Sequence, residues 1–170
     1  LNVRCRQSEE DWHAAQVFRA SADWLRDNRS NKPFFLWVDS FSPHELWDPP
    51  PEYADAYCPP RPGVKDYIFP QVLARDIARM SADEVDRCAA LYYGSVTFVD
   101  RWIGHLLTTL DSLALWEDTV VIFASDHGHH SRLVPLEDRG KQAAQNSHPV
   151  VWYLLPPKGK GGKAPKEEEK

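Results

Sequence analysis

The fold of this chain is decided by the stretch Val120-Val121-Ile122-Phe123-Ala124-Ser125-Asp126-His127-Gly128-His129-His130. Its first part is apolar with no polar alternation, which predicts a short strand buried on both faces. Polar side chains just past the carboxyl end of such a strand lie where open α/β sheets bind ligands. Asp126 and His127 could therefore offer an oxygen and a nitrogen to one divalent metal ion. The alternative is a plain turn, with Asp126 as a cap and Gly128 at positive φ.

A second stretch has the same construction. It reads Pro33-Phe34-Phe35-Leu36-Trp37-Val38-Asp39 and leads through Ser40 to His44-Glu45 and Trp47-Asp48-Pro49-Pro50-Pro51. Because the carboxyl ends of parallel strands share one edge, we expect four polar residues to meet at one rim. These are Asp39, His44, Asp126 and His127. The alternative for the second stretch is that Asp39 and His44 only stabilise a proline-stiffened loop, which Trp47 packs down.

Two amphipathic helices are predicted around these strands. The first starts at Ser8, with Asp11 as its capping-box partner, and runs to about Asp27. The second starts at Ser81 with Glu84 as its capping partner and runs to about Leu115. Apolar residues at helical spacing predict its buried face. They are Val85, Cys88, Ala89, Tyr92, Val96, Val99, Ile103, Leu106, Leu107 and Leu110.

The order of these elements predicts an α/β fold with a mostly parallel sheet flanked by helices. Strands beginning near Phe34, Val120 and Val150 would share the sheet, and the long second helix would pack on one face. Residues 1–157 would form this partial domain. Residues 158–170 are rich in Lys, Glu and Gly and are expected to be disordered.

Composition excludes several function classes. The net charge of −5 argues against a general nucleic-acid binder. No apolar run approaches the roughly 20 residues that a membrane helix needs, so no membrane partner is expected. Cys5, Cys58 and Cys88 have no paired spacing, which indicates neither a cysteine zinc site nor a disulfide framework. Localisation and oligomeric state stay open.

Three segments together resemble sulfatases of the alkaline phosphatase superfamily. The first is the Pro33 stretch with its Pro-His-Glu and Trp-Asp-Pro-Pro continuation. The second is Tyr92-Tyr93-Gly94-Ser95-Val96-Thr97-Phe98-Val99-Asp100-Arg101-Trp102-Ile103-Gly104, and the third is the strand ending in Ser125-Asp126-His127-Gly128-His129. The resemblance implies an alkaline-phosphatase-like fold, a sulfate ester substrate that is a small molecule or a glycan, and one divalent metal ion.

The resemblance also implies residue roles. Asp126 and His127 match ligands that the family supplies to its metal, which is calcium in many sulfatases. Many of those proteins have Asn at the position of His127, and a His suits zinc or manganese better. His44 matches a residue that the family places near the anion or the leaving group. Lys141, in Gly140-Lys141, matches a lysine that reaches the anion, although the segment before it departs from the family pattern.

The family's nucleophile motif, Cys/Ser-x-Pro-x-Arg, and the Asp pair before it have no match here. Cys58-Pro59-Pro60-Arg61 only imitates the motif, because its Arg comes one position too early. We therefore expect an internal fragment of a sulfatase that supplies part of the metal site and is inactive alone. Two alternatives remain open. One is a fragment of a phosphodiesterase or phosphonate monoester hydrolase of the same superfamily; the other is a non-catalytic α/β binding domain.

Overall fold

The computed structural model describes residues 5–68 and 79–125, and residues 152–155 by their backbone. A short 3-10 helix, Glu9–Asp11, leads into helix α1, His13–Asn28. Helix α2 spans Pro51–Asp55 and helix α3 spans Ala82–Ser112. Strand β1, Val121–Ala124, pairs antiparallel with strand β2, Trp152–Leu155, so that Val121 lies opposite Leu155. None of the described helices is both long and apolar enough to cross a bilayer.

The predicted start of the second helix is confirmed, and the predicted start of the first is confirmed only for its capping residues. The Ser81 hydroxyl accepts the Glu84 backbone N–H at 3.2 Å, and the Glu84 carboxylate accepts the Ser81 N–H at 2.9 Å. These bonds satisfy N–H groups that have no partner within a helix. At the earlier start, the Asp11 carboxylate accepts the Ser8 N–H at 3.0 Å. That turn is 3-10, and the α-helix itself begins only at His13.

The buried face of α3 differs from the predicted stripe. Leu91, Phe98 and Trp102 are buried although the stripe omits them, while Val96 is 40% exposed. The reason is that α3 contacts α1 on one side and α2 on another, so its core face is wider than a single stripe. Gly94 allows the second contact, since a Cβ at this position would come within 2.7 Å of the Ala54 backbone nitrogen.

The predicted sheet is only partly supported. The prediction of a mostly parallel arrangement is wrong for β1 and β2, which run antiparallel. Apolar runs indicate burial but not strand direction, so the sequence pattern could not decide this point. Residues 34–38, also predicted as a sheet strand, pair with no other backbone in the described part of the chain.

Residues 34–38 cover the helices with one face only. Phe34 and Leu36 pack with Val121 against the cluster that Leu25 and Leu110 form between α1 and α3. The alternate residues face away from the helices, and Phe35 and Trp37 are 83% and 76% exposed. The expectation of a strand buried on both faces is therefore wrong here, because the described helices lie on one side. It is also wrong for β1, where Ile122 and Phe123 are 60% and 43% exposed.

A polar network joins the 3-10 helix to α2 and α3. The Tyr53 hydroxyl donates to Glu9 Oε2 at 2.7 Å, and Arg101 Nε donates to Glu9 Oε1 at 2.9 Å. Burial and the bond to Glu9 raise the pKa of Tyr53 to about 12. Burial alone would raise the pKa of Glu9, but the hydrogen bonds from Tyr53 and Arg101 outweigh it and lower that pKa.

Trp47→Ala and Trp37→Ala should differ widely in their effect on stability. Trp47 is 2% exposed, so its truncation should leave a cavity and cost about 3–5 kcal/mol. Trp37 is 76% exposed, and its truncation should change the free energy of unfolding by no more than about 0.5 kcal/mol. Urea denaturation followed by circular dichroism measures both. Equal losses would contradict the burial of Trp47.

Tyr53→Phe should change how stability depends on pH. A raised folded-state pKa means that the Tyr53 contribution is complete below the unfolded pKa near 10 and is lost as pH rises to about 12. The variant should therefore be less stable than the parent at pH 7, by about 1 kcal/mol. This difference should shrink between pH 10 and 12. Urea denaturation across this pH range measures it, and a constant difference would rule the linkage out.

Candidate functional site: the His44 loop

Residues 39–50, called the His44 loop, connect the extended segment to α2. Trp47 holds the loop down, since its side chain is buried and contacts the Tyr92 ring at 5.1 Å between centroids. The Trp47 indole N–H donates to the Pro43 carbonyl at 3.2 Å, and its backbone N–H donates to the Ile68 carbonyl at 3.0 Å. This packing of Trp47 agrees with the alternative interpretation of the stretch, a proline-stiffened loop that Trp47 packs down.

His44 presents a half-exposed imidazole on this loop. Its side chain is 48% exposed, and Nδ1 lies 2.9 Å from Glu45 Oε2 and 3.1 Å from the Glu45 carbonyl oxygen. Both oxygens accept hydrogen bonds, so Nδ1 carries a proton. In the neutral ring, Nε2 is then the unprotonated nitrogen. His44 is thereby oriented to exchange a proton through Nε2, as a general acid or base does.

A small cleft of about 20 Å³ adjoins the imidazole. This volume is enough for about one water molecule. Nine residues line it: Trp12, Ser42, Pro43, His44, Leu46, Asp48, Pro49, Ser95 and Phe98. The cleft joins the His44 loop to α3 and to the start of α1, so three separate parts of the chain shape the surroundings of His44.

The buried guanidinium of Arg87 supports the loop indirectly, through residues that neighbour it. Arg87 is 3% exposed and donates to Asp66 at 2.6 Å, to Asp55 at 2.7 Å and to the Cys58 carbonyl at 2.6 Å. The bond to Asp66 is the largest cause that raises the pKa of Arg87. This cluster fixes Asp66, two residues before Ile68, whose carbonyl accepts the Trp47 backbone N–H. Cys58, in the stretch that imitates the nucleophile motif, is buried and serves this packing.

The structure tests only part of the predicted site. Asp39 is exposed directly after the extended segment, and His44 follows it on the loop. Asp126, His127 and Lys141 lie outside the described residues, so the meeting of four residues at one rim stays a prediction. Within residues 5–68 and 79–125, no group of three His, Cys, Asp or Glu side chains could hold a metal ion.

Sequence reasoning missed two contributors to the His44 environment. Glu45 orients the imidazole, and its position directly after His44 was a visible signal that a carboxylate lay within reach. Trp12 lines the same cleft from the residue just before α1. No sequence pattern connects Trp12 with His44, because only the packing of α1 against the loop brings them together.

Residues 4–163 of the chain match the family model described as Sulfatase. The chain belongs to the sulfatase family. It is similar to an arylsulfatase of Clostridium perfringens, with 33% identity over 138 residues. An endo-4-O-sulfatase of Bacteroides thetaiotaomicron is 37% identical over 111 residues, and the multifunctional alkaline phosphatase superfamily protein PehA of Trinickia caryophylli is 30% identical over 159 residues.

These alignments cover most of this chain and a small part of each relative. The arylsulfatase match covers 71% of the chain and 27% of the relative. The corresponding shares are 61% and 19% for the endo-4-O-sulfatase, and 71% and 30% for PehA. The chain thus spans less than a third of the length of these relatives. Family membership implies the predicted α/β class, while the described residues contribute mainly the helices and one pair of strands.

Arg87→Met should be much more damaging than Arg61→Met. Arg87 is buried, and its loss removes hydrogen bonds to two carboxylates and a carbonyl, which should cost about 2–3 kcal/mol. Arg61 pairs with Asp83 at the surface, where both side chains are about half exposed. Its loss should therefore cost less than about 1 kcal/mol. Thermal and urea denaturation compare the two variants, and equal stability would mean that the Arg87 cluster contributes nothing.

Proposed function

We propose that this chain is the part of a metal-dependent sulfuric ester hydrolase that supplies the His44 loop and the later metal-ligand motif, Asp126-His127. Membership of the sulfatase family supports the reaction class. The observation that carries the proposal is the orientation of His44, whose Nδ1 is held by Glu45 and whose ring reaches solvent. An imidazole fixed in this way can take up a proton at Nε2 and, once it carries that proton, deliver it to a leaving oxygen.

The remaining roles follow from the family resemblance. Asp126 and His127 would hold one divalent ion, which is calcium by family resemblance and zinc or manganese by the nitrogen of His127. Such an ion polarises the ester oxygens when it is bound. Lys141 would contribute a positive charge to the sulfate oxygens. The substrate would be a small-molecule or glycan sulfate ester, in keeping with the names of the sulfatase relatives.

The chain would act together with a larger polypeptide. Neither the nucleophile motif nor the Asp pair that precedes it in the family is recognisable in its sequence, and its relatives are several times longer. The exposed face of residues 34–38 also supports a larger polypeptide, because the neighbouring apolar side chains of Phe35 and Trp37 form a patch of the kind that another part of a protein covers. We propose that further strands complete a mostly parallel sheet around these residues and that another layer covers Phe35 and Trp37.

A second candidate function is hydrolysis of phosphodiesters or phosphonate monoesters. The similarity to PehA, which is named as a multifunctional alkaline phosphatase superfamily protein, favours it. Asp126-His127 is compatible with either ester. Comparison of aryl sulfate and aryl phosphate hydrolysis by the intact hydrolase separates the two candidates, since a sulfatase should prefer the sulfate.

The 170-residue chain should bind zinc or manganese only weakly. Two protein ligands leave most of the coordination sphere to water, and affinity rises with each further ligand. Isothermal titration calorimetry should show weak binding that Asp126→Ala abolishes, while Asp100→Ala, at an exposed position on α3, serves as the carboxylate control. The chain alone should hydrolyse neither aryl sulfate nor aryl phosphate esters.

Two results would contradict this assignment. Tight metal binding that survives Asp126→Ala would place the ligands elsewhere, with His129, His130 and His148 as the next residues to substitute. Turnover by the purified chain would show that it contains a nucleophile, against the proposal that the nucleophile lies in another part of the polypeptide.

A further inference from the structure

We propose that Arg6, Trp12 and Asp48 form a clamp that positions His44. Arg6 and Trp12 would then be positioning residues of the hydrolase, although neither is proposed to touch substrate. This inference rests on the proposed function of His44. Its structural basis is a set of contacts that hold the carboxyl end of the His44 loop against the start of α1.

The clamp consists of three direct contacts. Arg6 Nη1 lies 2.6 Å from Asp48 Oδ2, and the two side chains are only 15% and 22% exposed. The Arg6 guanidinium stacks over the Trp12 ring, 4.5 Å from its centroid. The Trp12 indole N–H donates to the main-chain carbonyl of Asp48 at 2.6 Å. Asp48 is thus held by its side chain and by its backbone at the same time.

The clamp is connected to His44 by a short path. Asp48 follows Trp47, and the Trp47 indole N–H holds the Pro43 carbonyl at 3.2 Å. Pro43 is bonded directly to His44. Because each link is a covalent bond or a hydrogen bond, a displacement of Asp48 is passed to the imidazole over a few residues. Trp12 and His44 also line the same cleft, so the indole sets one wall of the space beside the imidazole.

Trp12 uses different atoms to pack in the core and to hold Asp48. The Trp12 ring contributes to the core through an edge contact with Phe98 at 6.3 Å, and this contact does not use the indole N–H. Phenylalanine at position 12 would keep an aromatic ring for Phe98 and for Arg6 while removing the donor to Asp48. At position 6, lysine keeps the positive charge, whereas methionine keeps only a comparable length.

The test uses Trp12→Phe, Arg6→Met and Arg6→Lys in the 170-residue chain. Trp24→Phe is the matched control, because Trp24 lies on α1, the helix that Trp12 precedes, and contacts Phe34, away from the His44 loop. Hydrogen exchange of residues 39–50 reports loop opening, and ¹H–¹⁵N spectra report the ring nitrogens of His44. Trp12→Phe and Arg6→Met should each raise exchange in the loop by up to about tenfold and should shift the His44 ring signals.

The other variants complete the pattern. Arg6→Lys should restore most of the protection that Arg6→Met loses, and Trp24→Phe should leave both readouts unchanged. If Trp12→Phe and Arg6→Met lower the melting temperature but leave loop exchange and the His44 signals as in the parent, these residues only stabilise the fold and the proposal is wrong. If Arg6→Met fails to fold, Trp12→Phe and Arg6→Lys decide the question by the same readouts.

A separate measurement tests the function of His44 itself. His44→Ala in the intact hydrolase should sharply reduce aryl sulfate hydrolysis. If activity persists, the proposed role of His44 fails, while the exchange and spectroscopic results still show whether the clamp positions the loop. Failure of the clamp and failure of the proposed function are therefore distinguishable.

Discussion

The burial of Trp47 is the constraint on which the site depends. Its ring contacts Tyr92 on α3, and its indole N–H donates to the Pro43 carbonyl. Its backbone N–H donates to the Ile68 carbonyl. A proline-rich loop has few backbone N–H groups with which to form its own hydrogen bonds. A large buried aromatic ring supplies apolar contact in their place, together with one N–H donor. The His44 loop is ordered by this anchor without any regular secondary structure of its own.

Several ion pairs in the described part of the chain join segments that are distant in sequence. Arg87 gathers Asp55 and Asp66 under the loop, Arg101 meets Glu9 across α3, and Arg6 meets Asp48 beside the cleft. A buried guanidinium is costly to desolvate unless several acceptors satisfy it, and Arg87 has three. Such clusters add little net stability compared with apolar packing, but they specify which loop conformation is adopted. A site carried by a loop requires one defined loop conformation.

The described part of the chain is built as one side of a layered structure. Helices α1 and α3 cover the inner face of residues 34–38 and of β1, while Phe35, Trp37 and Ile122 point to solvent. The exposed face of these residues is the surface that the proposed further strands and layer would cover.

Local patterns in the sequence determined the start of the second helix and the family, and they predicted a proline-rich loop around His44. Capping residues act within one turn, and motif order is independent of packing, so Ser81, Glu84 and the Pro-His-Glu segment could be interpreted without coordinates. Tertiary structure alone decided the buried face of α3, because Gly94 lets α2 approach closely and widens that face. It also decided that β1 and β2 run antiparallel, since apolar runs carry no direction. The contact of Arg6 and Trp12 with Asp48 belongs to the same class: it joins residues far apart in sequence, and only the folded chain brings them within hydrogen-bonding distance.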